Sequence, residues 1–185
     1  MVIMPFVRKV MTEGVKMNEV IQYAEIDSEL IPILDEVADP EIPVLTILDM
    51  GVVRYAKLID DNKVYIKITP TYSGCPAMDV IEEDINKAFK KAGFEVQVDL
   101  VLTPAWTTDW ISEEGREALE KYGIAPPLDA HADKEALLGN KRIVKCTLCG
   151  SQNTKLVSQF GSTACKALFK CEDCQEPFDY FKCLK

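Results

Sequence analysis

The chain has 185 residues, 48% of them hydrophobic and 28% charged, which excludes an intrinsically disordered protein and suits a domain of about 100 residues with a small appendage. Its net charge of −9 is uneven: residues 141–185 hold eight Lys/Arg against four Asp/Glu, a surplus of +4, and residues 1–140 hold thirteen against twenty-six, or −13. The acidic body therefore disfavours a nucleic-acid duplex as partner.

No apolar run suits a signal peptide or a membrane span, so a cytoplasmic protein without membrane contact is expected. In that compartment thiols stay reduced, and seven cysteines point to metal binding or reactivity rather than disulfides.

Residues 1–25 show no period and are read as an N-terminal extension. The body, residues 26–127, opens with a short helix for which Ser28 is the expected cap, with Leu30, Leu34 and Val37 on one face and Pro32 in the first turn. Asp39-Pro-Glu-Ile-Pro43 ends it, because each proline pushes the residue before it into extended geometry. Val52–Ile59 and Val64–Thr69 suit strands joined by the polar turn Asp60-Asp61-Asn62-Lys63, which predicts a hairpin. After a loop over 70–76, Val80, Ile81, Ile85, Ala88 and Phe89 recur at helical spacing until Gly93, and Val96, Val98, Leu100 and Leu102 alternate as a third strand. A last helix, Ser112 to Tyr122, has cap and acidic residues at its start and stops at Gly123 before Pro126-Pro127. The expectation is an α+β fold: a small α-β-β-α-β domain with a three-stranded mixed sheet, a linker over 128–140, and a C-terminal zinc ribbon over 141–185.

The ribbon rests on Cys146-Thr-Leu-Cys149 and Cys171-Glu-Asp-Cys174. Two C-x₂-C knuckles separated by 21 residues can point four sulfurs at one ion, while intervening amides donate to those sulfurs. Four protein ligands leave no open coordination position, which suits a structural zinc; a rubredoxin-like iron or an iron–sulfur cluster takes the same four thiolates. Cys165 and Cys183 are left over, as small buried residues, as alternates for the site, or as transient metal holders.

In the body, Cys75 stands at the start of a helix, where free amides and the helix dipole favour a thiolate. It is reactive, metal-capable, or a packing residue. His131, in the linker, is the single histidine, so a Cys–His hydrolase is excluded, and G-x-G-x-x-G, P-loop and G-x-S-x-G motifs are absent. Asp39, Glu41 and Asp109 are candidate acids or ligands, although loop carboxylates usually serve turns and caps. Trp106 and Trp110 suit either a hydrophobic core or a partner surface.

Five segments carry a family resemblance: Asp39-Pro-Glu-Ile-Pro43, Asp49-Met-Gly-Val-Val53, Thr69-Pro-Thr-Tyr-Ser-Gly-Cys-Pro-Ala77, Pro104-Ala-Trp-Thr-Thr-Asp-Trp110 and Phe160-Gly-Ser-Thr-Ala-Cys-Lys-Ala-Leu168. From about residue 28 to the C-terminus, Glu176-Pro-Phe-Asp-Tyr-Phe-Lys-Cys183 included, the chain resembles the PaaD (PaaJ) family of the phenylacetyl-CoA epoxidase system. The body is also similar to the SufT-type iron–sulfur assembly proteins, marked by the D-P-E segment and a cysteine like Cys75. The resemblance implies an accessory maturation factor in aerobic phenylacetate degradation with no catalytic residue of its own. Cys75 would bind or relay iron or a transient iron–sulfur cluster, with Asp39, Glu41 and Asp109 around it and the ribbon docking the client. The implied partners are the epoxidase subunits, above all the iron–sulfur reductase component, with the di-iron oxygenase subunit a second client. Oxygenase chemistry belongs to those subunits, because the chain lacks the Glu-x-x-His ligands of a di-iron site. A homo-oligomer sharing two copies of Cys75 is a further arrangement. Two alternatives stand beside this reading: a structural epoxidase subunit without metal transfer, and a nucleic-acid-binding ribbon, suggested by the basic tail and Phe160, Phe169, Phe178, Tyr180 and Phe181.

Overall fold

In the computed structural model, residues 25–128, 137–138 and 144–182 are described. Residues 1–24 of the expected extension, most of the expected linker with His131, and Cys183 lie outside them.

The expected hairpin forms from β2 (Val53–Asp60) and β3 (Lys63–Ile68), antiparallel, with Ala56 opposite Ile66 and Leu58 opposite Val64. Alternation on β3 turns Val64, Ile66 and Ile68 inward and leaves Tyr65 and Lys67 on the other face. The inward set is buried in one core with Ala77, Met78, Ile81, Ile85 and Phe89 of α2 (Ala77–Lys91), the apolar stripe that helical spacing predicts. Asp79 in the first turn and Lys90 and Lys91 in the last complement the helix dipole. Beyond α2 the chain returns as β4 (Glu95–Leu100), parallel to β3. The strand stops at Leu100, so the expected alternation does not extend to Leu102, and both leucines are exposed.

The sheet has four strands rather than the expected three. β1 (Glu25–Ile26) lies parallel to β2, with Glu25 opposite Tyr55 and Ile26 opposite Ala56. Asp27 secures it: its amide donates to the Ala56 carbonyl (2.9 Å), and its carboxylate accepts from the Leu58 amide (3.0 Å) and pairs with Lys57 (3.1 Å). Two residues leave no period in a sequence, which is why this strand was invisible there. The first helix is also shorter than expected. α1 (Ile31–Leu34) begins after Leu30 with no side-chain cap, so Ser28 does not cap it; the Leu30 amide instead donates to the Asp27 carbonyl (2.9 Å). Leu30, Leu34 and Val37 are buried as their spacing predicts.

After the 3₁₀ turn Thr108–Trp110, α3 (Glu113–Tyr122) follows the sequence signals closely. The Ser112 hydroxyl accepts from the Gly115 amide (2.9 Å), and Gly123 ends the helix in the left-handed region at φ 97°. β5 (Ile124–Ala125) then leaves the body and pairs with the ribbon, where β6 (Thr154–Ser158), β7 (Lys166–Cys171) and β8 (Pro177–Phe181) form an antiparallel meander. The strand order is β5-β8-β7-β6, with β5 parallel to β8.

The ribbon has its own core of Val144, Ala167, Phe169, Phe178 and Tyr180, in which Phe169 meets Tyr180 edge-on at 5.4 Å. Two of its residues belong instead to the core of the body: Cys165 and Phe181, the latter edge-on to Trp106 at 6.0 Å. Among the described residues no helix is long and apolar enough to cross a membrane.

Candidate metal centre and thiol site

The sulfur atoms of Cys146, Cys149, Cys171 and Cys174 all lie within 4.8 Å of one another. Cys146 and Cys174 are 3.7 Å apart, and Cys149 and Cys171 3.6 Å. A metal held tetrahedrally at about 2.3 Å from each thiolate requires edges of about 3.8 Å, so the donor set fits such an ion. The knuckles supply matching backbones. The residue after the second cysteine is left-handed in both, Gly150 at φ 75° and Gln175 at φ 68°. Amides of Cys174 and Asp173 donate to the Cys171 sulfur and bring its pKa down to about 7. Cys174 is pushed up to about 12 although the Glu176 amide donates to it, because burial and the sulfurs of Cys149, Cys171 and Cys146 outweigh that bond. Four crowded thiols cannot all ionise without a cation among them, and a divalent ion supplies the compensating charge.

Cys165 takes no part in this group. It sits at the opposite end of β7 from Cys171, buried against the body, and so does not alternate with the four ligands. Its sulfur lies 3.0 Å from the Thr163 hydroxyl and 3.6 Å from Oε2 of Glu41. Glu41 belongs to the Asp39-Pro-Glu-Ile-Pro43 segment, whose shape comes from Asp39. The buried carboxylate of Asp39 accepts the amides of Glu41 and Ile42, each at 2.8 Å, and its own amide donates to the Leu45 carbonyl. Burial raises the Asp39 pKa, those two amides oppose the rise, and the Glu41 charge adds to it.

Cys75 stands immediately before Pro76 and α2, half-buried, with the Ala77 amide and the Tyr72 side chain as hydrogen-bond partners of its sulfur. Contrary to expectation, burial outweighs the helix start. Burial raises its pKa, and the charges of Glu41 and Asp39 push the same way against the Ala77 and Tyr72 bonds. Cys165 is pushed up to about 11, chiefly by burial and also by Glu41 and Asp39. Tyr72, pushed up to about 12 by burial and by Cys75, feels Glu41 and Cys165 as well. Cys75, Asp39, Glu41 and the ribbon's Cys165 thus share one electrostatic neighbourhood with Tyr72 and Thr163. The two latter residues were missed in the sequence; Tyr72, three residues before Cys75 in a Pro- and Gly-bounded loop, carried the one usable signal.

Asp109 has a different role. It is exposed, its amide donates to the hydroxyl of the capping residue Thr107 (3.1 Å), and its carboxylate accepts from that hydroxyl (3.2 Å), so it stands in the first turn that Thr107 caps. The neighbouring tryptophans are structural. Trp106 is buried and its indole N–H donates to the Met50 carbonyl (2.8 Å), whereas Trp110 is partly buried with the Arg54 guanidinium 3.6 Å over its ring. The Asp49-Met-Gly51 segment is the seat of that layer: Asp49 accepts from the Ser112 hydroxyl (2.7 Å), and Gly51 lies beneath Trp110. Of the five ribbon aromatics that suggested a nucleic-acid surface, Phe169, Phe178, Tyr180 and Phe181 are buried, and Phe160 alone of the five is exposed. No stacking platform exists among them.

Residues 28–102 match the family model described as iron–sulfur cluster assembly protein, and residues 130–182 match the PaaD zinc beta ribbon domain. A protein of Escherichia coli K12 named as one of the subunits of 1,2-phenylacetyl-CoA epoxidase is 49% identical over 161 residues, covering 84% of this chain and 92% of that protein. The chain belongs to the PaaD family. An Fe-S protein maturation auxiliary factor of Porphyromonas gingivalis is 33% identical over 50% of this chain and 90% of its own length. A DUF59 domain structure from Bacillus anthracis is 29% identical with a TM-score of 0.46, covering 49% of this chain and 88% of that one. Asp39, Glu41 and Cys75 fall within the assembly-protein match, whereas Cys165 and the four knuckle cysteines fall within the ribbon match.

Proposed function

We propose that this chain is an accessory maturation subunit of a phenylacetyl-CoA epoxidase system, assisting iron or iron–sulfur cluster assembly on the reductase component. The observation that carries the reading is Cys75, a half-buried thiol at the head of α2, bonded by Tyr72 and the Ala77 amide and faced by the carboxylates of Asp39 and Glu41. A thiol whose pKa is raised is a poorer nucleophile near neutral pH, yet it binds a soft cation when the cation displaces its proton. That pairing of uptake with proton loss suits cargo that is taken up and released. Asp39 shapes the loop that presents Glu41, and Glu41 supplies negative charge beside the cargo. Asp109 serves the 3₁₀ turn and stays outside the transfer step. The ribbon would hold zinc permanently in Cys146, Cys149, Cys171 and Cys174, since four ligands close the coordination sphere; bound zinc supplies stability and no chemistry.

The test is a host lacking the chain, complemented with wild type or Cys75→Ser, followed by iron and acid-labile sulfide analysis of the purified reductase. Loss of reductase cluster with Cys75→Ser, at unchanged ribbon metal, is the expected result. An intact cluster and intact epoxidation would overturn the role of Cys75.

A second reading, a structural subunit without metal transfer, is favoured by one surface. Leu148 at the knuckle tip is 70% exposed and Tyr122, the last residue of α3, 57%, and the knuckle is tied to the end of α3 by the Thr147 hydroxyl donating to the Gly123 carbonyl (3.3 Å). Co-purification with the epoxidase that Leu148→Asp abolishes, with reductase cluster content unaffected by Cys75→Ser, would select it.

A further inference from the structure

The thiol of Cys165 has no function in the ribbon's metal centre, and its surroundings are those of a ligand. Its sulfur lies 3.6 Å from Oε2 of Glu41, a contact 124 residues apart in the chain that joins ribbon to body. An ion with a thiolate at about 2.3 Å and a carboxylate oxygen at about 2.1 Å, at the tetrahedral angle, spaces those two atoms by about 3.6 Å. Tyr72 connects this pair to Cys75, because its side chain bonds the Cys75 sulfur and lies within the fields of Glu41 and Cys165. The Cys165 backbone is anchored, its carbonyl accepting from the Lys182 amide at 2.9 Å, so the thiol is held at the seam between the two domains.

We propose that Cys165, Glu41 and Cys75 form a second, composite metal site across the domain boundary, which takes a thiophilic divalent cation of the Fe²⁺ class. The proposal rests on the maturation reading and names the ligands of its cargo. Binding displaces one proton from each thiol to solvent and leaves a bis-thiolate, carboxylate complex, so uptake releases two protons and strengthens as pH rises. The site is not yet gathered: among the described residues, the four knuckle cysteines form the group of three or more thiols and carboxylates whose ligand atoms all lie within 4.8 Å. Gathering it requires the Cys75 thiol to leave its bonds to Tyr72 and Ala77. Three ligands, one of which must swing in, suit an ion that is passed on. The closed four-thiolate centre suits one that stays.

Full-length protein with its ribbon centre filled by zinc would be titrated anaerobically with Co²⁺, reading bound cobalt per chain and thiolate-to-cobalt charge-transfer absorption, with zinc content checked throughout. Wild type should take up one further cobalt with no loss of zinc. Cys75→Ser, Cys165→Ser and Glu41→Gln should each weaken that uptake by about tenfold or more, with zinc content and circular dichroism unchanged. Serine at 165 retains the size and the hydrogen bond to Glu41, so a merely structural cysteine would pass this test unaltered. Should Cys165→Ser and Glu41→Gln bind cobalt like wild type while Cys75→Ser does not, the composite site is overturned and the maturation reading stands on Cys75 alone. Should wild type bind no further cobalt, the composite site is overturned, and the reductase cluster assay decides the maturation reading independently. A variant that loses its zinc would be replaced by Cys165→Ala, for which the same two outcomes apply.

Discussion

Gly51→Ala tests whether the Asp49-Met-Gly segment is a packing device or part of the metal-handling surface. Gly51 has φ +65°, and a Cβ there would stand 2.6 Å from both the Cβ and the carbonyl oxygen of Trp110. A left-handed alanine costs about 1–2 kcal/mol. The contact is with backbone and with the root of a side chain, so nothing can rotate away, and overpacking adds about 1–3 kcal/mol. The total of about 2–5 kcal/mol, at about 2–4 °C per kcal/mol for a chain of this length, gives a fall in Tm of about 4–20 °C. Gly93→Ala is the control: φ is +89° there, but an added Cβ meets nothing within 4 Å, so the backbone cost of about 1–2 kcal/mol stands alone. Thermal unfolding followed by circular dichroism, with metal content measured in parallel, checks both. Equal losses for the two variants would refute the reasoning, as would loss of bound metal by folded Gly51→Ala protein.

Removal of the ribbon metal, by chelation or by Cys146→Ser, should unfold β6–β8 and also lower the stability of the body, because β5 pairs with β8 and Phe181 packs on Trp106; a change in Trp fluorescence accompanying metal loss is the readout. The Tyr65 phenol donates to Asp99 (2.5 Å), and this bond, followed by the Gln97 amide, holds the Asp99 carboxyl below its ordinary value. A depressed folded-state pKa contributes stability that is present above the unfolded value and lost as pH falls through the folded one; Tyr65→Phe should move the Asp99 titration, followed by carboxyl NMR, back up. Cys75 should alkylate more slowly with iodoacetamide at pH 7 than a free thiol, since burial raises its pKa, and Glu41→Gln should accelerate the reaction by removing a charge that opposes the thiolate.

Elements made by short-range rules could be read directly from the residues. The hairpin follows from alternation about a polar turn, α2 from its 3.6-residue stripe, and α3 from Ser112 and Gly123 at its ends. The four-cysteine centre was legible because a C-x₂-C knuckle is a local device whose backbone geometry repeats, with a left-handed residue after each second cysteine.

Contacts between distant segments were beyond such reading. β1 is two residues long and exists because β2 offers it an edge, and β5 joins the ribbon only because β8 lies beside the end of α3. Helix position alone suggested a Cys75 whose thiolate is favoured; burial and two carboxylates, set by tertiary packing, raise its pKa instead. The amino-acid sequence by itself determined the strands and helices with a clear period and the ligands of the metal centre, because periodicity and knuckle spacing act within a few residues. Folding alone decided that Cys165 of the ribbon meets Glu41 of the body, because a contact across 124 residues depends on Cys165 and Phe181 of the ribbon entering the core of the body, Phe181 against Trp106.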